Sequence, residues 1–311
     1  MINIRKLFAE MPSNILDNQR RVDVEAKIKI YYGYSKEGLL RISFLSSCRP
    51  FIIDSTKLIR VLQVNESENV FWTCFDLLDI SAESVYYSLI EDLIFSIRDC
   101  IDEIGCLKKI KNRFAIWKKL LGRKNTNEMP EEKVKGLLGE LYFLYKYMIP
   151  QFGVNDAIVA WGGPDDNSKD FTINDKWYEI KTVSLNVNEV KISSVVQLDS
   201  DVDGKLAIIR IENMSGAYSD GLSCLEEIVS SILDKTNDFS IKEIFLSKLE
   251  KLKYSPIDNA VKMKFKIHSM DLYLVNRDFP RICSANIPFS EICRLTYSIY
   301  IKAIERFKEA N

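Results

Sequence analysis

At 311 residues, with 43 Lys and Arg against 44 Asp and Glu and a formal charge of −1, the chain has room for about two domains and lacks the cationic excess of a protein that coats nucleic acid nonspecifically. Hydrophobic residues make up 47%, enough for a sizeable interior, while no apolar run approaches the ~20 residues of a membrane span. Seven cysteines without Cys-x-x-Cys spacing and a single histidine, His268, argue against a disulfide framework, a zinc cluster or paired histidine catalysts. His268 reads as a satisfied strand residue, and Met1-Ile2-Asn3-Ile4-Arg5-Lys6 lacks a signal-peptide core, so the expected location is cytoplasmic, with no membrane partner.

Residues 1 to about 80 alternate strand-like runs: Ala26 to Tyr34, Leu39 to Leu45 and Val70 to Leu78. Ala82 to Arg123 reads as helical. Together they define an expected β-rich N-terminal module followed by helices, over 1–128. Between Lys108 and Lys124 stand Lys108, Lys109, Lys111, Arg113, Lys118, Lys119, Arg123 and Lys124 with no acid among them. Leu107, Ile110, Phe114, Trp117 and Leu121 recur at helical spacing, so the basic residues crowd the other face. That face is either a solvated surface or a contact to a DNA backbone.

A core is expected over 129–215. Pro130 to Met148 carries Val134, Leu137, Leu138, Leu141, Leu144 and Met148 at helical spacing, with Pro130 at a tolerated first-turn position. Gly136 and Gly139 interrupt it at roughly 1 kcal/mol each against Ala, which suggests close approach to the helix backbone, and Glu140 borders the apolar stripe. Ile158 to Trp161 reads as a strand, and Leu206 to Ile211 as a buried one. Val187 to Leu198 reads as a helix whose Ser193, Ser194 and Gln197 either contact phosphate or bases or form ordinary polar surface. The fold class is α/β, with a mixed four- to five-stranded sheet flanked by helices. An α+β extension follows over 216–311, with helices at Leu225 to Leu233 and Ile241 to Leu252, strands at Val261 to Ile267 and Leu272 to Val275, and a last helix after Ser290.

The chemistry concentrates between Asp170 and Val183. Phe171-Thr172-Ile173 and Trp177 to Val183 are β-like runs separated by Asn174-Asp175, two residues that tolerate the left-handed backbone of a tight hairpin turn. In that register Ile173 faces Lys176 and Asp170 faces Glu179, with Lys181 on the same side two positions along. Two carboxylates and an ammonium then converge. Carboxylates on adjacent strands can hold Mg²⁺ while leaving room for water and a phosphate, and a neighbouring Lys can stabilise the charge that develops in phosphoryl displacement.

Glu-x-Lys by itself is a weak signal, since it occurs at Glu25-Lys27, Glu131-Lys133, Glu179-Lys181 and Glu189-Lys191. Glu131-Lys133 reads as a solvated helix start. Glu25-Lys27 has Asp17 upstream but no partner strand, and Glu189-Lys191 is the closest competitor.

Lys135-Gly136-Leu137-Leu138-Gly139-Glu140, then Asp170-Phe171, then Glu179-Ile180-Lys181-Thr182 resembles the PD-(D/E)XK nuclease superfamily, in particular its MutH-like restriction endonuclease branch. The chain also resembles a bacterial family of PD-(D/E)XK-motif proteins that accompany restriction-modification or phage-defence genes. The likeness is best over residues 131 to about 212. It implies a restriction-endonuclease-like core and a Mg²⁺-dependent DNA endonuclease. Asp170 and Glu179 would be metal ligands, Glu140 would support the metal directly or through water, and Lys181 would stabilise the transition state or help generate hydroxide. It also implies DNA as substrate, a partner methyltransferase or ATPase, and a possible homodimer. One departure stands out: the literal Pro-Asp pair is Pro164-Asp165, five residues before Asp170, and it reads as loop. The competing reading is a noncatalytic recognition or scaffold subunit of a defence complex.

Overall fold

The structure, a computed structural model, describes residues 3–11, 16, 18–121, 129–165, 167–219, 221–236, 238–256, 258–289, 291–292 and 294–309. Asp17, Arg123, Lys124, Ser290 and Cys293 lie outside them. The chain divides into two compact units, 1–126 with 255–257 and 127–254 with 258–311.

The first unit begins with α1 (Ile4–Ala9) and builds a five-stranded antiparallel sheet from β1 (Gln19–Arg21), β2 (Lys29–Tyr34), β3 (Leu40–Ser46), β4 (Ile59–Ser67) and β5 (Val70–Leu77), in the order β1-β2-β3-β5-β4. The helical stretch expected over Ala82 to Arg123 comprises α2 (Glu83–Ser96) and α3 (Glu103–Leu121), separated near Asp99 and Cys100. Phe75 of β5 packs its ring 5.1 Å from Phe114 of α3, fastening sheet to helix. Two buried acids are fully matched here. Asp76 accepts from Arg41 at 2.6 Å and Arg60 at 3.0 Å, and Asp92 accepts from Arg113 at 2.8 Å and from the Trp117 indole at 2.9 Å.

The second unit opens with α4 (Glu131–Phe143), which widens into a π turn over Leu144–Met148 and continues as α5 (Ile149–Phe152). Ile158 to Trp161, expected as a strand, is instead the end of α6 (Val154–Ala160). Gly153, at φ 79°, turns the chain after α5 and its carbonyl receives the Ala157 amide, so a new helix starts and its buried Ala157 and Ile158 face inward. Only Trp161 makes a β-bridge, to Phe171.

Next come β6 (Phe171–Ile173), β7 (Lys176–Ser184), β8 (Glu189–Ile192) and β9 (Gly204–Met214), then α7 (Leu225–Leu233), α8 (Phe239–Lys251), β10 (Lys264–Val275) and β11 (Tyr297–Tyr300). The main sheet has four strands in the order β10-β9-β7-β6, with β7 and β9 parallel and the other pairs antiparallel. This is a mixed α/β fold consistent with a restriction-endonuclease-like core. Val187 to Leu198 is β8 and a 3₁₀ turn at Val195–Gln197 rather than a helix, because Val190 and Ile192 alternate with exposed Glu189 and Lys191 and bury against the sheet. The two strands expected in 261–275 are one, bent by a bulge at His268, whose ring lies 2.9 Å from Glu212. After position 290 the chain forms β11, paired with β8, and a 3₁₀ segment over Ile301–Phe307, not an α-helix.

Both faces of β7 are covered, so Trp177 to Ile180 are buried in succession rather than alternately. Trp177 joins Leu206, Ile208, Tyr273 and Val275 in a cluster closed by Val190, Ile192, Ile299 and Ile301. On the opposite face Tyr178 lies 5.5 Å from Phe143 of α4, ring to ring. Gly139 explains itself at this contact: a Cβ there would lie 1.9 Å from Thr182 Oγ1, so helix and strand come together only through glycine. A Cβ at Gly136 would meet nothing within 4 Å.

Candidate active site

The hairpin forms as its turn residues demand. Asn174 and Asp175 adopt φ 49° and 59°, and the register runs Ile173↔Lys176, Thr172↔Trp177, Phe171↔Tyr178. Asp170 stands just before β6, and its Oδ2 accepts the Ile180 amide of β7 at 2.7 Å, so the carboxylate is tied across the strand pair one step beyond the ladder. Glu179 is 1% exposed and accepts from Lys181 Nζ at 2.8 Å. From α4, Glu140 reaches the same place and accepts the Trp161 indole N–H at 2.7 Å.

Three carboxylates thus share one largely dry spot with one ammonium in contact. Burial, reinforced by the charge of Asp170, pushes Glu140 up to about 8 and Glu179 up to about 8. Burial also raises Asp170, opposed by the Ile180 amide and the Lys181 charge. Burial is the largest cause at all three, and the chain's own positive charges oppose it, Lys181 at each of them and Lys169 at Asp170 and Glu179.

Of the remaining Glu-x-Lys pairs, Glu131 and Lys133 are exposed in the first turn of α4, Glu25 and Lys27 fall in the irregular stretch before β2, and Glu189 and Lys191 point to solvent from β8. A family profile described as "Putative PD-(D/E)XK family member" (DUF4420) matches residues 4–302. The chain belongs to this PD-(D/E)XK family. No curated protein and no solved structure gives a significant match.

Within the family's motif, the literal Asp of Pro164-Asp165 is committed elsewhere. Asp165 ends a 3₁₀ turn and is ion-paired with Lys248 at 3.3 Å and with Lys251, and the Lys251 hydrogen bond holds its carboxyl below the usual range. Asp170, by contrast, belongs to the carboxylate group. Divalent metals serve PD-(D/E)XK nucleases generally, and the donor set here fits a hard cation: all side-chain donors are carboxylate oxygens. Gly163 leaves the space for one, since a Cβ there would lie 2.8 Å from Glu140 Oε2 and 3.6 Å from Asp170 Oδ1. Among the described residues no three His, Cys, Asp or Glu side chains are grouped so as to hold a metal ion.

Sequence reasoning passed over Trp161, Gly163, Lys169 and Lys248. Lys169 Nζ, beside the motif Asp, donates to the carbonyls of Val196, Gln197 and Asp199 at 2.6, 2.8 and 3.0 Å and stands 4.2 Å over the Trp177 ring. Burial lowers it to about 8. Lys248 of α8 donates to the carbonyls of Ile158, Val159 and Trp161, fixing the segment that presents the Trp161 indole to Glu140. The Trp161 and Gly163 signals were legible as a bulky aromatic beside a Gly-Gly pair, but their partners lie far along the chain.

The residues read as DNA contacts divide. Lys108, Lys109, Lys111 and Lys119 of α3 are exposed. Lys118 is shared with Asp54 at 2.9 Å. Arg113 must be withdrawn from that face: it is 6% exposed and its guanidinium is bound to Asp92, because it sits on the side of α3 that packs on α2. Gln197 is partly buried in the 3₁₀ turn, with its side chain accepting the Ser193 amide at 2.8 Å. Among the described residues no helix is long and apolar enough to cross a membrane.

Proposed function

We propose that this chain is a Mg²⁺-dependent DNA endonuclease of restriction or phage-defence type, hydrolysing phosphodiester bonds. The observation that carries the reading is the gathering of Glu140, Asp170 and Glu179 beside Lys181, a buried cluster of carboxyl groups whose ionisation burial opposes. Asp170 and Glu179 would hold the cation, with Glu140 supporting it. When bound, the cation neutralises phosphate charge and acidifies water at the site.

The chain's own groups do the rest. Glu179 holds Lys181 pointed into the site, where its ammonium stabilises charge developing on the phosphoryl oxygens. Trp161 fixes the Glu140 carboxylate, and Gly163 keeps the space between Glu140 and Asp170 open. The exposed lysines of α3 offer phosphate contacts, and a partner methyltransferase or ATPase and a homodimer belong to the same reading.

The test is incubation of unmethylated supercoiled plasmid with the full chain in Mg²⁺ or Mn²⁺. Nicked or linear product should form, none should form in EDTA, and Lys181→Ala should slow cutting about 10²–10³-fold, the usual cost of one transition-state donor. Cutting at the wild-type rate by both Glu179→Gln and Lys181→Ala would overturn the assignment. A wild type that binds DNA without cutting would instead favour the noncatalytic recognition or scaffold subunit.

A further inference from the structure

We infer that the cleft between α4 and the C-terminal end of α8 is the track along which one strand of the substrate reaches the carboxylates, with its sugar–phosphate backbone lying against the bare backbone at Gly136. The inference rests on the nuclease reading and adds the path and the residues that grip the strand.

The cleft has a volume of about 320 Å³ and is lined by Met129, Lys133, Gly136, Leu137 and Glu140 on one side and Lys251, Leu252 and Lys253 on the other. Its position is informative because Glu140, held by Trp161 at the carboxylate site, also forms part of this lining. Gly136 and Glu140 are one helical turn apart, on the same face of α4. A strand lying over Gly136 would therefore continue directly to the carboxylates.

Gly136 itself is the second observation. The other glycine of α4, Gly139, is required by Thr182, but a side chain at Gly136 would meet nothing of this chain within 4 Å. A helix-weakening residue that the fold does not need, facing an open cleft, fits a surface that must stay flat for something arriving from outside. The chemistry of the walls says what arrives. Lys133, Lys251 and Lys253 are exposed around the cleft. Lys251 pairs with Asp165 while both remain open to water, an arrangement that exchanges readily for a phosphate. Three ammonium groups spaced around a shallow cleft suit successive phosphates of a backbone better than a single small anion.

The test is fluorescence anisotropy of the full chain with a 5′-labelled DNA duplex in Ca²⁺ over a salt series, alongside thermal unfolding and plasmid cleavage. Gly136→Gln should raise the melting temperature, because Gln is the better helix former, and yet weaken duplex binding and slow cleavage at least tenfold. Lys133→Glu with Lys253→Glu should weaken binding similarly and flatten the salt dependence by about two charges. Gly136→Gln and the charge-reversed variant that bind and cut like wild type would overturn the track while leaving the nuclease reading in place. Conversely, wild type that binds but never cuts, with binding lost in both variants, would keep the track and remove the nuclease.

Discussion

The two units bury acids in opposite ways. In the first, Asp92 is closed off by Arg113 and the Trp117 indole, and Asp76 by Arg41 and Arg60, so each carboxylate meets at least one guanidinium in good geometry. In the second, Glu140, Asp170 and Glu179 share the Lys181 ammonium, and burial drives all three upward in pKa. Matched charge makes a structural joint, which costs stability when broken and gains nothing from an added ion. Carboxyls buried without a matching guanidinium make a site whose ionisation the fold opposes, and on the proposed reading a bound cation would relieve that cost.

The sharpest way to break the comparison is to unmatch the matched pair. Asp92→Ala should destabilise the first unit by about 3–5 kcal/mol, because the Arg113 guanidinium is left buried without its carboxylate. Denaturant unfolding measures it, and a loss below 1 kcal/mol would mean that Asp92 is no joint.

A smaller effect belongs to the helix–strand contact that carries Glu140. Gly139→Ala should cost about 1–3 kcal/mol by overpacking against Thr182, despite the better helix propensity of Ala. Thr182→Ala should restore most of it in the double variant, since Thr182 Oγ1 is buried with no hydrogen-bond partner to lose.

The smallest effect is the pH dependence of the unmatched site. Glu140 and Glu179 keep their protons in the folded chain up to about 8, whereas the ordinary value is 4.5. Between those values the folded state therefore binds more protons, and the stability contributed by these groups falls as pH rises. Glu140→Gln should raise the metal-free melting temperature by about 2 °C or more at pH 8.5 and change it little at pH 4, where the carboxyl is mostly protonated in both states. An equal shift at both pH values would assign the effect to packing.

How much of this was legible depended on distance along the chain. The hairpin could be read because Asn174-Asp175 encodes its own turn and the register then follows by counting. Gly139 announced close packing without naming Thr182. Ile158 to Trp161 misled because β-branched and aromatic content outweighed Gly153, whose positive φ restarts a helix. Val187 to Leu198 misled because its burial comes from pairing with β11, more than a hundred residues later. The grip of Lys248 on Trp161 spans 87 positions, and no local pattern could reveal it. Arg113 had the spacing of a surface residue, and only the neighbouring α2, bringing Asp92, turned it inward.

The central claim is that the surplus of carboxylate belongs to a divalent cation, and calorimetric titration of Mn²⁺ into metal-free protein at pH 7.5 tests it directly. The account predicts saturable binding accompanied by proton release, seen as a heat that changes with the ionisation enthalpy of the buffer, and loss of that binding in Glu179→Gln while Asp92→Asn binds as wild type does. No binding by the wild type, or an unchanged isotherm in Glu179→Gln, would contradict it.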